Sequence, residues 1–283
     1  MVILCELPVH SQKEAVIEVI ICPTAESANH LVAQLIADTV RAKPRAVLGL
    51  ATGKTPEGVY ERLATLHKEQ KLDFSFTTTF NLDEYLGVAA SNPQSFRSTM
   101  DRQLFSKINI KRENTHLPNG MASDLESECA AYEKRIMDAG GIDIQLLGIG
   151  LNGHLAFNEP MSSLTSRTRP KSLTPETRAQ NAPFFGTLDQ VPARAITMGV
   201  GTILDSRWCI LLATGSSKAE ILLKAIEGPM SAAVTASALQ MHRRCTVVVD
   251  ESAAAWLQMK EYYRWVFATE PEWAPYRSLV TAH

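Results

Sequence analysis

The chain has 283 residues, of which 45% are hydrophobic and 20% charged, and its formal net charge is −2. That length suffices for one large α/β domain or two small ones. The charge balance argues against a nucleic-acid binder, and no apolar run approaches the ~20 residues that span a membrane. The N-terminal MVILCELPVHSQKE has no basic region and no long apolar core, so it reads as non-secretory. Cys5, Cys22, Cys129, Cys209 and Cys245 are scattered without a CxxC pair, which argues against a disulfide framework or a zinc site and fits a cytoplasmic protein.

AVIEVIIC (15–22) reads as a strand, and the spacing of Ala28, Leu31, Val32, Leu35, Ile36 and Val40 predicts an amphipathic helix after it. AVLGL (46–50) is a short buried strand. Pro56 to about Gln70 suits a helix with proline in its first turn. FTTTFNL (76–82), IDIQLLGIG (142–150), AITMGVG (195–201), WCILLATG (208–215) and CTVVVD (245–250) are further strands, with helices near 94–105, 122–139, 217–227 and 251–266. The stretch 151–192 lacks clear periodicity and reads as a long functional loop. This alternation predicts one α/β domain over 1–283, Rossmann-like, with a mostly parallel central sheet and helices on both faces.

Two glycine motifs mislead. Gly49 and Gly53 are one residue too close for the phosphate loop of NTPases. Gly148, Gly150 and Gly153 make GxGxxG, but HLAFNEP follows where a dinucleotide fingerprint needs a helix and a distant acidic residue. Neither motif therefore argues for a bound nucleotide. The physics of the first loop survives its spacing: Thr52-Gly53-Lys54-Thr55 precedes a helix whose N-terminal amides attract anions. Read without its neighbours, it is equally an ordinary strand-to-helix turn.

ATGKTP (51–56), NLDEYLG (81–87) and LNGHLAFNEP (151–160) each follow a predicted strand, where open α/β sheets bind ligands. Asp83-Glu84 could supply a catalytic carboxylate or merely begin a polar loop. His154 and Glu159 could form a tuned imidazole–carboxylate pair or a structural turn. Ser163, Arg167, Arg169 and Lys171 make a basic run that suits either a second anion or a solvated surface.

With SSLTSRTR, MGVGTILD and LATGSSKAE, these segments resemble the glucosamine-6-phosphate deaminases (isomerases), relatives of the 6-phosphogluconolactonases, over roughly 15–260. The resemblance implies an aldose–ketose isomerisation with deamination: glucosamine 6-phosphate gives fructose 6-phosphate and ammonia, without metal or organic cofactor. It implies that Asp83 moves a proton between C2 and C1, and that His154 opens the sugar ring, oriented by Glu159 with Asn152 beside it. Thr52, Gly53, Lys54, Thr55 and Lys218 would hold the substrate phosphate. Ser162, Ser163, Arg169 and Lys171 match the effector region of regulated, hexameric members. Asn152 stands where some members have Asp, and Pro183 where the family pattern has a phosphate-binding arginine, a loss that Lys54 could compensate. The first competing enzyme is a sugar-phosphate isomerase or lactonase for another substrate, such as galactosamine 6-phosphate; an alternative of different class is a catalytically weakened sugar-phosphate sensor. The aromatic C-terminal segment EYYRWVFATEPEWAPYRSLVTAH suggests packing against something, and inclines the reading toward a homo-oligomer.

Overall fold

The computed structural model describes residues 16–281; Ala15, Cys5 and the remainder of the N-terminal segment read as non-secretory lie outside the described residues. In chain order the elements are β1 (Val16–Cys22), α1 (Ala25–Ala42), β2 (Val47–Leu50), α2 (Glu57–Gln70), β3 (Thr78–Asn81), β4 (Asp83–Tyr85), α3 (Phe96–Gln103), β5 (Thr115–His116), α4 (Leu125–Asp138) and β6 (Ile144–Leu147). They continue with β7 (Arg169–Ser172), α5 (Pro175–Phe185), β8 (Arg194–Thr197), α6 (Val200–Leu204), β9 (Cys209–Ala213), α7 (Ala219–Leu222), β10 (Arg244–Asp250), α8 (Lys260–Thr269) and α9 (Arg277–Thr281).

Seven strands form a parallel sheet in the order β1-β10-β9-β6-β2-β3-β5. Strand alternation divides its side chains between two cores. Ile20, Leu48, Leu146, Ile210 and Val248 pack with the buried stripe of α1 and with α2. Val19, Leu147, Leu211, Val247 and Val249 pack on the other face with Tyr132, Leu222 and Tyr263 of the opposite helical layer. Both faces are therefore covered, as runs such as CILLA and TVVV require.

Three departures shape the site. The strand expected at 195–201 is shorter and lies outside the main sheet: β8 sits between β4 and β7 in a separate antiparallel sheet. Alternate apolar residues could not tell a second sheet from the first. The supposed loop 151–192 contains β7 and α5. Helix α5 starts on Thr174, whose side chain accepts from the Thr177 N–H, with Pro175 in the first turn; that cap supplies an order which hydrophobic periodicity does not reveal. The helix expected at 251–266 begins only at Lys260, because the Glu227 carboxylate accepts the amides of Gln258 and Met259 and holds them in a turn.

The aromatic tail finds much of its packing within its own chain. Trp273 and Val280 are buried against the α1 side of the core, and the Tyr276 hydroxyl donates to Asp38. Trp256, Tyr262 and Trp265 remain exposed. No helix among the described residues is long and apolar enough to cross a membrane.

Candidate active site

The polar loops sit where parallel strands end. The Thr52–Thr55 loop leaves β2 for α2, and Leu82 N–H donates to Leu50 O at 3.1 Å, holding the ends of β2 and β3 together. Gly53 has a φ of 130°, a conformation that favours glycine, and a Cβ there would meet only open space. Helix α2 has Pro56 at its N-cap and no side-chain cap, so its first amides face the loop without a side-chain acceptor. Lys54 is exposed and carries its ammonium 5.8 Å from the centre of the Phe184 ring, on α5 directly after Pro183. The Thr52–Thr55 loop thus meets α5 beside the position at which the expected arginine is missing.

Asn152, His154 and Glu159 converge. Asn152 Nδ2 donates to Glu159 Oε2 at 2.9 Å, and its Oδ1 accepts the His154 backbone N–H at 3.2 Å. Asn152 therefore supports the histidine through the main chain, while the imidazole Nδ1 faces Glu159 Oε2 at 3.4 Å, a charge contact longer than a well-formed hydrogen bond. The ring lies over Gly150, where a Cβ would come within 2.4 Å of it. That glycine is part of the misleading GxGxxG, and its use is to admit the imidazole.

Glu159 also binds α5. Its Oε1 accepts the Thr174 amide at 3.1 Å and the Thr174 hydroxyl at 3.3 Å. Burial pushes the carboxyl up, but the facing His154 and the hydroxyl and amide donors around it outweigh that and hold it at about 2. The positive end of α5 acts in the same direction. Two non-glycine residues near Glu159, Ala156 and Met161, have φ of 51° and 69°, so the loop is held in a conformation its sequence disfavours.

Asp83 stands on β4, paired with Thr197 of β8. Its side chain is buried, and that burial, reinforced by the neighbouring Glu84, pushes its carboxyl well above the usual range. Thr197 Oγ1 accepts the Phe157 N–H at 3.1 Å, which ties the Asp83 sheet to the His154–Glu159 loop. Lys218 follows β9 and donates to Ile149 O at 2.7 Å; burial lowers its pKa.

The four effector candidates differ in their surroundings. Ser162 is buried and Ser163 is exposed, bonding Thr165. Arg169 and Lys171 are alternate residues of β7, but Arg169 turns to Asn158 Oδ1 at 2.9 Å, beside Glu159. Three residues absent from the sequence reading hold the site: Thr174, Asn158 and Thr235. Asn158 is fully buried and donates to Leu155 O and Met198 O, while Thr235 donates to Asn158 O. The Thr-Pro-Glu-Thr run was the available signal for Thr174 and the LNGHLAFNEP segment for Asn158; nothing local marks Thr235.

An open parallel α/β sheet with an uncapped anion loop, a buried carboxyl and a His–Glu pair at its strand ends defines a class of protein built to handle small polar ligands. Residues 23–248 match the glucosamine-6-phosphate isomerases/6-phosphogluconolactonase family, and the chain belongs to it. It is 52% identical over 250 residues to the glucosamine-6-phosphate deaminase of Shewanella loihica, covering 88% of this chain and 93% of the relative. The deaminase of an Arthrobacter species is 48% identical over 90% of this chain and 98% of its own. A solved monomeric glucosamine-6-phosphate deaminase superposes with a TM-score of 0.83 at 46% identity, over 85% of this chain and all of the other. The 6-phosphogluconolactonase from Trypanosoma cruzi shares the fold, with a TM-score of 0.68 at 20% identity over 88% of this chain and all of its own.

Proposed function

We propose that the chain is an amino-sugar phosphate isomerase–deaminase that converts glucosamine 6-phosphate and water into fructose 6-phosphate and ammonia. The observation that carries this reading is the conjunction of the His154–Glu159 pair with a buried carboxyl at Asp83, across a site whose one edge is an anion loop. His154 moves the proton between the anomeric hydroxyl and the ring oxygen, and the chain opens. Asp83, once ionised, takes the C2 proton and returns it to C1, leaving an imine at C2. Water adds to that carbon and ammonia departs. Thr52, Gly53, Thr55 and Lys218 receive the phosphate, and Lys54, resting against α5, supplies the cation that Pro183 does not. The chain works as one domain, and its buried free cysteines, Cys22, Cys129, Cys209 and Cys245, suit a cytoplasmic setting.

The test is ammonia release from glucosamine 6-phosphate, with galactosamine 6-phosphate and 6-phosphogluconolactone as competing substrates. Turnover of the first in preference to the others is expected; preferential turnover of the lactone overturns the reading. A second feature, an effector site at Ser162, Ser163, Arg169 and Lys171, is favoured by the Arg169–Asn158 bond, which joins β7 to the residue before Glu159. It would act within a homo-oligomer. Substrate saturation with and without N-acetylglucosamine 6-phosphate, alongside solution mass, tests it; a monomer indifferent to that effector overturns it.

A further inference from the structure

A cavity of about 450 Å³ lies beside β4, lined by Glu84 rather than by Asp83. Adjacent residues of a strand point to opposite faces, so a ligand in this cavity does not occupy the place of one that meets Asp83. Its other walls bring together α3, β5, the loop after β5 and α4, through Arg97, Arg112, His116, Asn119 and Arg135.

The two carboxylates here are already engaged. Glu84 accepts the amides of Tyr85, Phe96 and Arg97. Glu128 accepts from Arg135 Nη2 at 2.8 Å and from the Asn119 amide at 3.1 Å. Arg97 is committed to Thr115 and Asp101. The other two guanidiniums keep donors in hand. Arg135 Nε is buried without a partner, and a buried unsatisfied donor is costly. Arg112 is largely exposed, with a long 3.4 Å contact to Asp101. The His116 ring stacks on Phe80 at 4.7 Å; burial, then Arg135 and Arg97, lower its pKa. A neutral imidazole can still donate one N–H.

We propose that this cavity binds a small organic phosphate, with its phosphoryl group held by Arg135, Arg112 and His116. Guanidinium forks match phosphate oxygens, and a dianion answers the donors that Arg135 and Arg112 keep beyond their contacts to Glu128 and Asp101, where a monocarboxylate would leave one arginine unmatched. The volume lies within the usual range for small-molecule pockets, about 300–1,000 Å³, and leaves room for a carbon skeleton beyond a bare ion. Glu84, which lines the cavity, is the residue after Asp83 on β4. The proposal does not rest on the deaminase reading.

The test is proton NMR of the full chain, following the His116 C2–H resonance, assigned by its loss in His116→Gln. The charged groups around that ring are Arg97, Arg112 and Arg135, with Glu84 and Glu128. Saturating glucose 6-phosphate should raise the titration midpoint of His116, and inorganic phosphate should do so at higher concentration. Arg135→Gln and Arg112→Gln should each weaken the response about tenfold or more, Arg135→Lys by less, and Lys54→Gly should leave it unchanged. A His116 midpoint unmoved by glucose 6-phosphate in the unaltered protein overturns the proposal, as does an undiminished response in both Gln variants. Inorganic phosphate binding as tightly as the hexose phosphate overturns the organic ligand.

Discussion

In the proposed reaction Asp83 carries a conflict between folding and chemistry. A base must be ionised, yet burial and Glu84 raise its pKa. Between the unfolded value, about 3.9, and the raised folded value, the native state binds the extra proton. Stability is therefore lost as pH rises through that window, and the cost is complete above the folded pKa. Asp83→Asn removes the charge. It should slow turnover about 10²–10⁴-fold and abolish exchange of the C2 hydrogen with solvent. At neutral pH it should also stabilise the protein by about 0.5–2 kcal/mol, and below about pH 4 it should not. Urea unfolding beside the exchange assay checks both; a variant with normal exchange would remove Asp83 from the chemistry. Lys54 poses the complementary question of a charge gained. Its contact with Phe184 puts it beside Pro183. Lys54→Gly should raise the Michaelis constant about ten- to a hundredfold with little change in kcat, and Pro183→Arg should recover part of it. An unchanged constant means that Lys54 serves only the surface. These residues could be singled out from sequence because each stands at the end of an apolar run, where topology concentrates ligands. The surroundings that tune them could not: the Thr197–Phe157 link and the Thr174 donors come from residues 74 to 114 positions beyond Asp83 in the chain, a separation that no local pattern spans.

Among the elements, the parallel strands were the most legible, since strands buried on both faces write themselves as continuous apolar runs. The β4–β8–β7 sheet was not, because β4 is three residues long and β7 reads Arg-Pro-Lys-Ser. Helix α5 was hidden by its weak amphipathic pattern, although its N-terminus is where Glu159 is anchored. The consequence is a coupling between helix and catalysis. Thr174→Ala should cost about 1 kcal/mol as a lost cap and should also raise the pKa of Glu159 and lower kcat/KM; Thr174→Ser should restore both. A cap of purely structural role would leave kcat/KM unmoved once the protein is folded. Glu159 itself has the opposite sign to Asp83. Its carboxyl is held at about 2 against an ordinary 4.5, so its stabilisation is in place above pH 4.5 and disappears as pH falls toward 2. That increment is on the order of 3 kcal/mol. Glu159→Gln should flatten this part of the pH–stability curve, measured by urea unfolding from pH 6 to about 2. An identical slope in the variant would show that the carboxyl is no better solvated by its partners than by water.

At the scale of the whole molecule, the candidate site and the C-terminal segment lie toward opposite ends of the parallel strands. The ligand loops follow the strands, whereas Trp273 and Tyr276 border a space shared with Trp208 and Arg244, residues that lead into β9 and begin β10. The aromatic composition of the tail was plain in the sequence, but a pattern of apolar residues does not say whether their partner is another subunit or the same chain. Much of the answer is intramolecular: Trp273 is 3% exposed and packs with Phe267 and Tyr276, while Tyr276 bonds Asp38 at the end of α1. Removing such a side chain leaves a cavity as well as losing transfer energy, and Trp→Ala changes cost about 3–5 kcal/mol. Trp273→Ala should therefore lower the thermal midpoint markedly. Because the tail and the candidate ligand loops lie at opposite ends of the strands, kcat/KM at 25 °C should stay within about twofold of the parent, a difference below ~0.5 kcal/mol. Calorimetry paired with the ammonia assay separates the two effects. A large fall in kcat/KM from a fully folded Trp273→Ala protein would mean that the two ends communicate, and that the C-terminal segment belongs to the working part of the enzyme.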